Sequence, residues 1–371
     1  MTPCRVSTLT LTRFRSYSGA RLDLTGCPVV LFGPNGSGKT SILEAVSLFS
    51  PGRGIRRATP EEFSCRRYEP GWKVSTELVV GGRTLEVGTS YRGGSGRRVE
   101  IEGKPVRQSE LARLLRIVWV SPAMDRLWTD GREGRKRFLD RMVMNFFPAH
   151  AEEVIAYDKA MRERNRLLRD RQFDDAWLRG LELQMAERGA AITRNRVSTV
   201  DRLEVAERQS TGDFPVARLG LAAPEETRAG STDQDELVLA LAKNRFRDAS
   251  AGRTLIGSHR IDLLAEHAGR RMEARNCSTG EQKALLLSIV LANSRAITED
   301  CGAPPVLLLD EVTAHLDAGR RRALFGEIRQ LGVQAWLTGT QADLFDDLGS
   351  STQWFEVSDQ HGESSIAERS R

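Results

Sequence analysis

Gly33-Pro34-Asn35-Gly36-Ser37-Gly38-Lys39-Thr40 sets three glycines, a lysine and two hydroxyls close together, a set suited to holding a polyphosphate. In such a loop successive main-chain N–H groups curl around the phosphates, and glycine permits the close approach and the unusual dihedrals. Lys39 would supply a point charge to the β and γ phosphates, and Thr40, with Ser41 beside it, would offer hydroxyls to Mg²⁺ and phosphate. A second pair lies far downstream, where Val306-Leu307-Leu308-Leu309 runs into Asp310-Glu311. Two acids closing an apolar strand are costly unless a metal or phosphate uses them. Asp310 fits a Mg²⁺ ligand and Glu311 the carboxylate that activates an attacking water.

Between these lies Cys277-Ser278-Thr279-Gly280-Glu281-Gln282-Lys283, ahead of an apolar helix at residues 284–291. Ser278 with Glu281 three positions on is a capping box that starts any helix. With Gly280 leaving main-chain N–H groups bare, the same helix start is also an anion site, able to face the γ-phosphate of a nucleotide on another subunit. After the acids comes Ala314-His315-Leu316-Asp317. The order resembles the signature, Walker B and D-loop of ABC ATPases, with Asp317 as the D-loop acid.

These side chains need a frame, and the pattern supplies one. Residues 6–11 and 20–24 alternate apolar and polar as two half-buried strands, joined through Arg13-Phe14-Arg15-Ser16-Tyr17. Val29-Val30-Leu31-Phe32 suits a strand buried on both faces, and a helix through Phe49 follows the glycine loop. Residues 74–80, 84–89 and 97–101, parted by glycine-rich breaks, predict an antiparallel meander. From 148 to 210 the chain turns charged and helical, with Val154, Tyr157, Met161 and Leu168 on one stripe and Leu178, Leu181, Met185 and Ile192 on another. A reversal at Phe173-Asp174-Asp175 would make a short hairpin with arms of about 30 Å. Residues 220–235 predict a loop, and a last strand falls near 354–357.

The fold class expected is α/β: an ABC-type ATPase head with a P-loop mixed sheet, helices and an antiparallel β subdomain, plus a mainly helical second lobe carrying the hairpin. Residues 1–120 would form the N-terminal part of the ATPase lobe, 121–270 the helical lobe, and 271–371 the C-terminal part of the ATPase lobe.

Composition narrows the function classes. The 371 residues can bury a core, and no apolar run reaches bilayer length, so a cytoplasmic protein without a membrane partner is expected. Cys4, Cys27, Cys65, Cys277 and Cys301 lack metal or disulfide spacing. A net charge of +5 hints only mildly at a polyanion, but arginine is dense at 132–141 and 162–171. Arg132, Arg135, Lys136 and Arg137 are candidate DNA contacts, or the solvated face of a helix. Aromatics are 6% of the chain, which favours backbone-led binding to duplex or junction DNA over base stacking.

Arg13-Phe14-Arg15-Ser16-Tyr17, the loop GPNGSGKTSILEAV, Gly52-Arg53-Gly54, Arg135-Lys136-Arg137-Phe138-Leu139-Asp140-Arg141, Ile256-Gly257-Ser258-His259-Arg260-Ile261-Asp262-Leu263, CSTGEQKALLLS and LLLDEVTAHLD follow one another over almost the whole chain. Together they resemble the RecF family of recombination and repair proteins, relatives of the SMC-like ATPases. Ser258 departs from an expected proline, and the likeness is weakest at 206–240. The resemblance implies ATP-dependent DNA binding, a homodimer sandwiching two nucleotides, slow ATP hydrolysis, and action at gaps and stalled forks. It also implies RecO-type and RecR-type mediators as partners and help in loading RecA. It makes Arg15 a candidate nucleotide contact; an ordinary solvated hairpin arginine is the plain alternative. His259 and Arg260 are candidates for signalling between lobes or near the nucleotide; a satisfied core histidine is the plain alternative.

The other class weighed is an ABC subunit serving a membrane transporter or an effector. A transporter subunit would carry a glutamine after Val118-Trp119-Val120, where Ser121-Pro122-Ala123-Met124-Asp125 stands, and a switch histidine where Thr338-Gly339-Thr340 stands. An effector would carry an added domain, for which the chain leaves no room.

Overall fold

The computed structural model describes residues 4–170, 174–210, 214–223 and 230–371. They form two compact units, Met1–Asp125 with Gln209–Pro215 and Ser278–Arg371, and Arg126–Arg208 with Val216–Cys277.

In the first unit β1 (Arg5–Phe14) and β2 (Tyr17–Asp23) make the expected hairpin, followed by β3 (Val29–Phe32) and α1 (Lys39–Ser47). The meander is β4 (Gly71–Val80), β5 (Arg83–Arg92), β6 (Arg98–Ile101) and β7 (Lys104–Val106); α2 (Leu111–Leu114) and β8 (Ile117–Val120) follow. The strand order β2-β1-β4-β5-β6-β7 is antiparallel throughout.

The second unit takes up the chain with α3 (Arg132–Phe146), α4 (His150–Arg169) and α5 (Asp175–Arg208), then β9 (Ala217–Ala222), α6 (Gln234–Lys243), α7 (Arg245–Ala251), β10 (Asp262–His267) and β11 (Met272–Glu273). The two predicted apolar stripes meet: Tyr157 and Leu168 of α4 pack with Leu178, Leu181, Met185 and Ile192 of α5 in one core. At 34 residues α5 is longer than the predicted arm, about 51 Å at the helical rise. Of the expected reversal, Asp174 and Asp175 precede and open α5, while Phe173 lies outside the described residues. The loop expected at 220–235 is corrected in part. Gly220, Leu221 and Ala222 belong to β9, because main-chain pairing with β10 in register overrides a weak strand composition; residues 224–229 lie outside the described set.

Back in the first unit come α8 (Thr279–Cys301), β12 (Val306–Leu309), α9 (Ala318–Leu331), β13 (Ala335–Gly339), β14 (Gln353–Gln360) and β15 (Glu363–Arg369). The predicted last strand is thus followed by another, β15, paired antiparallel with β14. The central sheet runs β15-β14-β3-β13-β12-β8, parallel from β14 to β8, and its strands read as unbroken apolar runs because both faces are covered. Buried Gln334 ties the two sheets of this unit together: its Oε1 accepts from Val6 N at 2.9 Å and its Nε2 donates to Val6 O at 2.8 Å. An unpaired amide there would be costly, and the paired one fixes β1 beside β13. Among the described residues no helix is long and apolar enough to cross a membrane.

Candidate nucleotide-binding site

β3 ends in a buried tip, and the loop at residues 33–38 turns from it into α1. The turn cannot be made with side chains at two points. Gly33 (φ 148°) has no room, since a Cβ would run into the carbonyl oxygen of Val357 in β14. At Gly38 (φ 107°), the left-handed cap of α1, a Cβ would stand 2.5 Å from Ser364 Oγ and 2.8 Å from Tyr17 Oη. Tyr17 Oη also donates to Gly38 O at 3.2 Å, and burial pushes its phenol up, so it stays a neutral donor. The loop is therefore gripped by β14, β15 and the first hairpin. Pro34, Asn35 and Gly36 form its exposed part, whereas Ser37 and Ser41 are buried.

Lys39 is buried, and its Nζ donates to the loop carbonyls of Gly33 at 2.7 Å and Pro34 at 2.6 Å. Burial lowers its pKa, while Glu311 and Asp310 pull the other way. Thr40 Oγ1 donates to Asp310 Oδ1 at 2.9 Å, so the expected Mg²⁺ ligands from α1 and β12 meet although 270 residues part them. Two oxygens side by side, one anionic, fit a hard cation that keeps the rest of its shell from water and phosphate.

Beyond Asp310 the chain enters a strained conformation, with Glu311 at φ 48°. Both its main-chain groups are held. Its N–H donates to Thr338 Oγ1 at 2.8 Å, and its carbonyl accepts from Lys283 Nζ at 3.3 Å. Thr338, fully buried at the end of β13, also donates to Asp310 Oδ1 at 2.8 Å, so one hydroxyl bridges both acids. Lys283 lies 3.6 Å from Asp125 Oδ2; burial lowers its pKa, and Asp125 opposes the shift. Neither residue was singled out from sequence. The available signal was Thr338 at the position where a switch histidine is expected.

Ser278 caps α8 with the full capping box: Glu281 N donates to Ser278 Oγ at 3.4 Å, and Ser278 N to Glu281 Oε2 at 2.9 Å. Ser278 is exposed, and a Cβ on Gly280 would stand 3.4 Å from His315 O and 3.2 Å from Arg320 Nη1. The signature thus sits against the D-loop of its own chain. Asp317 caps α9, accepting from Arg320 N at 2.8 Å, and that main-chain bond lowers its pKa.

Two of the expected contacts, Arg15 and Arg135, have partners within the chain. Arg15 lines a cavity of about 610 Å³ with Ser16, Ser41 and Arg66, but its guanidinium is engaged elsewhere. Its Nε and Nη2 clamp buried Glu44 of α1 at 2.7 and 2.8 Å, and its Nη1 donates to Glu62 O at 2.7 Å. A nucleotide contact would have to displace Glu44, so in this state Arg15 braces the helix after the loop. Arg135, expected at DNA, is held inside the second unit by both oxygens of Asp262, at 2.9 and 2.8 Å, and by the carbonyls of Leu127 and Asp130. Asp262 raises its pKa, and four hydrogen bonds within the unit occupy the guanidinium. Of the other basic candidates, Arg132 donates to Arg260 O at 3.1 Å, Lys136 pairs with Glu133 at 3.0 Å, and Arg137 is exposed.

A parallel sheet with a phosphate loop at one strand end, two acids at another, a capped signature helix and a D-loop define an ATPase head of the ABC type. A family profile described as an AAA domain matches residues 8–64. The DNA replication and repair protein RecF of Rhizobium leguminosarum bv. trifolii (strain WSM2304) is 44% identical over 363 residues, 95% of this chain and 97% of its own length. Its counterpart from Agrobacterium fabrum (strain C58 / ATCC 33970) is 45% identical over 367 residues, 96% and 97% of the two chains. Among solved structures, the recombination mediator protein RecF with ATP, in the RecFOR pathway, superposes with a TM-score of 0.83 at 20% identity, covering 99% of this chain and 98% of that one. The Smc head domain of Pyrococcus furiosus, bound to the C-terminal domain of ScpA, gives 0.58 at 15% identity, covering 99% and 96%. The chain belongs to the RecF family.

Proposed function

We propose that the protein is a cytoplasmic DNA-repair ATPase whose ATP-bound homodimer holds DNA at gaps or stalled forks and assists RecA loading with RecO-type and RecR-type partners. The observation that carries the nucleotide reading is the meeting of Thr40 and Asp310 beside Lys39 and the strained Glu311. Mg²⁺, held by Thr40 and Asp310, would supply charge neutralisation on the β and γ phosphates.

The residues then divide the work. Lys39 gives up its two carbonyl partners for phosphate oxygens, with the loop N–H groups from Asn35 to Gly38 around them. Glu311 accepts a proton from the attacking water, and Thr338, by fixing the Glu311 N–H and one Asp310 oxygen, sets its direction. Thr338 thus takes the orienting part that a switch histidine plays elsewhere, without a group that can itself take up a proton; slow hydrolysis fits that substitution. Exposed Ser278, Gly280 and Asp317 would close on the nucleotide of a second copy, because α8 offers bare main-chain donors there.

The reading is tested by fluorescence anisotropy of labelled single-stranded, duplex and gapped DNA, with and without ATP, across a salt series. ATP-dependent binding that Lys39→Met abolishes is expected. Equal binding by wild type and variant, with or without ATP, would sink the coupling.

A further inference from the structure

The turn at residues 257–260 lies within the second unit, and the nucleotide chemistry makes no use of it. Gly257 (φ 121°) opens it, and a Cβ there would run into Tyr157 Oη. Residues Ser258–Arg260 form one 3₁₀ turn. His259 is held by Tyr157 Oη at 2.8 Å from Nδ1 and by Thr254 O at 3.1 Å from Nε2. A carbonyl only accepts, so Nε2 carries the proton and Nδ1 accepts from the phenol. The ring is neutral: burial first, then the charges of Lys136, Arg260 and Arg132, bring its pKa down to about 4.

Those charges crowd the turn. Arg132 Nη1 donates to Arg260 O at 3.1 Å. Arg260 is itself held below its ordinary value, by burial and then by Arg132 and Arg253. The Nε atoms of Arg132 and Arg260 are buried without a hydrogen-bond partner. Neighbouring carboxylates are taken or lie to one side: Glu133 pairs with Lys136 at 3.0 Å, Asp158 faces Lys136 and Arg162, and Asp262 belongs to Arg135. Among the described residues none forms an ion pair with Arg132, Arg253 or Arg260.

Buried donors without acceptors beside several uncompensated cations are an unfavourable arrangement unless an anion completes it. Guanidinium forks match the oxygens of a phosphate group better than a point acceptor. We propose that Arg132 and Arg260, joined at this turn, and Arg253, next to the Thr254 carbonyl that holds His259, form a phosphate-binding site that takes a phosphodiester of the DNA backbone. The identity of the ligand rests on the DNA-binding reading above; the anion site itself does not.

The test compares the full-length protein with Arg253→Gln and with the double variant Arg253→Gln/Arg260→Gln. Arg253 is exposed, so the single variant checks the idea without threatening the fold. With ATP and a labelled duplex, the double variant should bind at least ~10-fold more weakly, and its log affinity should fall less steeply with log salt, by about two in slope for two lost phosphate contacts. The single variant should lose about one. Nucleotide affinity should be unchanged in both. Unaltered duplex affinity and salt slope in both variants, with wild type binding normally, would overturn the site. A second arm uses inorganic pyrophosphate and thermal melting. If pyrophosphate stabilises wild type but not the double variant while neither binds duplex, the anion site stands and the DNA reading falls.

Discussion

Thr338 is a small residue on which two acids depend. Removing its hydroxyl leaves the Glu311 N–H without its partner and Asp310 Oδ1 with Thr40 Oγ1 alone, so the strained Glu311 peptide is anchored only through its carbonyl. Thr338→Val is expected to lower the ATP turnover number ~10-fold or more, while the nucleotide dissociation constant changes less than ~3-fold, because the phosphate loop is untouched. Thr338→Ser should retain most of the activity. Equal turnover in wild type and the valine variant, measured by phosphate release, would show that the hydroxyl does not direct the base. In the sequence Thr338 is marked only by standing where a switch histidine is expected, since by residue type it is an ordinary β-branched strand residue. The phosphate loop was legible because its glycines answer a steric demand, and Asp310-Glu311 because acids rarely close an apolar strand. The partners of Arg15 and Arg135 were not legible for one reason: the carboxylate that engages each guanidinium, Glu44 or Asp262, lies far off in sequence.

At the scale of elements, α4, α5 and α7 are joined through a buried ionic knot. Arg164, with a fully buried side chain, donates to Glu182 at 3.0 Å and Asp248 at 2.7 Å, and Arg245 pairs with Glu182 from the rim. Arg164→Met would leave buried Asp248 without its cationic partner and should destabilise the second unit by about 3–5 kcal/mol. A denaturation midpoint within experimental error of wild type would contradict that account. His259 gives a pH signature with a definite sign. Its pKa is about 4 in the fold against an ordinary 6.5, so between those values the unfolded chain takes up a proton that the native ring refuses. Stability should therefore fall as pH drops from about 6.5 to about 4, by up to about 3 kcal/mol, and be fully present above that window. His259→Gln should flatten this part of the urea-midpoint profile; an unchanged profile would assign the loss to other groups. The helical hairpin was readable from its apolar stripes. Strand β9 was not, since Gly220 and two alanines carry little strand preference and pairing with β10 alone decides it.

For the whole molecule, the central claim is that ATP brings two copies together through surfaces that one copy cannot use alone. Ser278 and Gly280 stand exposed or half-exposed at the start of α8 and Asp317 at the start of α9, beside one another on the first unit. The order of these three along the chain was legible in the sequence, and the fold brings them to one place on that unit. Glu311→Gln keeps the shape of the base and removes its charge, so a closed dimer should form with ATP and fail to reopen. Ser278→Arg placed on that background should restore the monomer while sparing ATP binding. The most direct measurement is the light-scattering mass of Glu311→Gln with ATP and Mg²⁺. The account predicts twice the mass of the chain, reverting to one chain with Ser278→Arg; a mass that stays at one chain with ATP bound would contradict it.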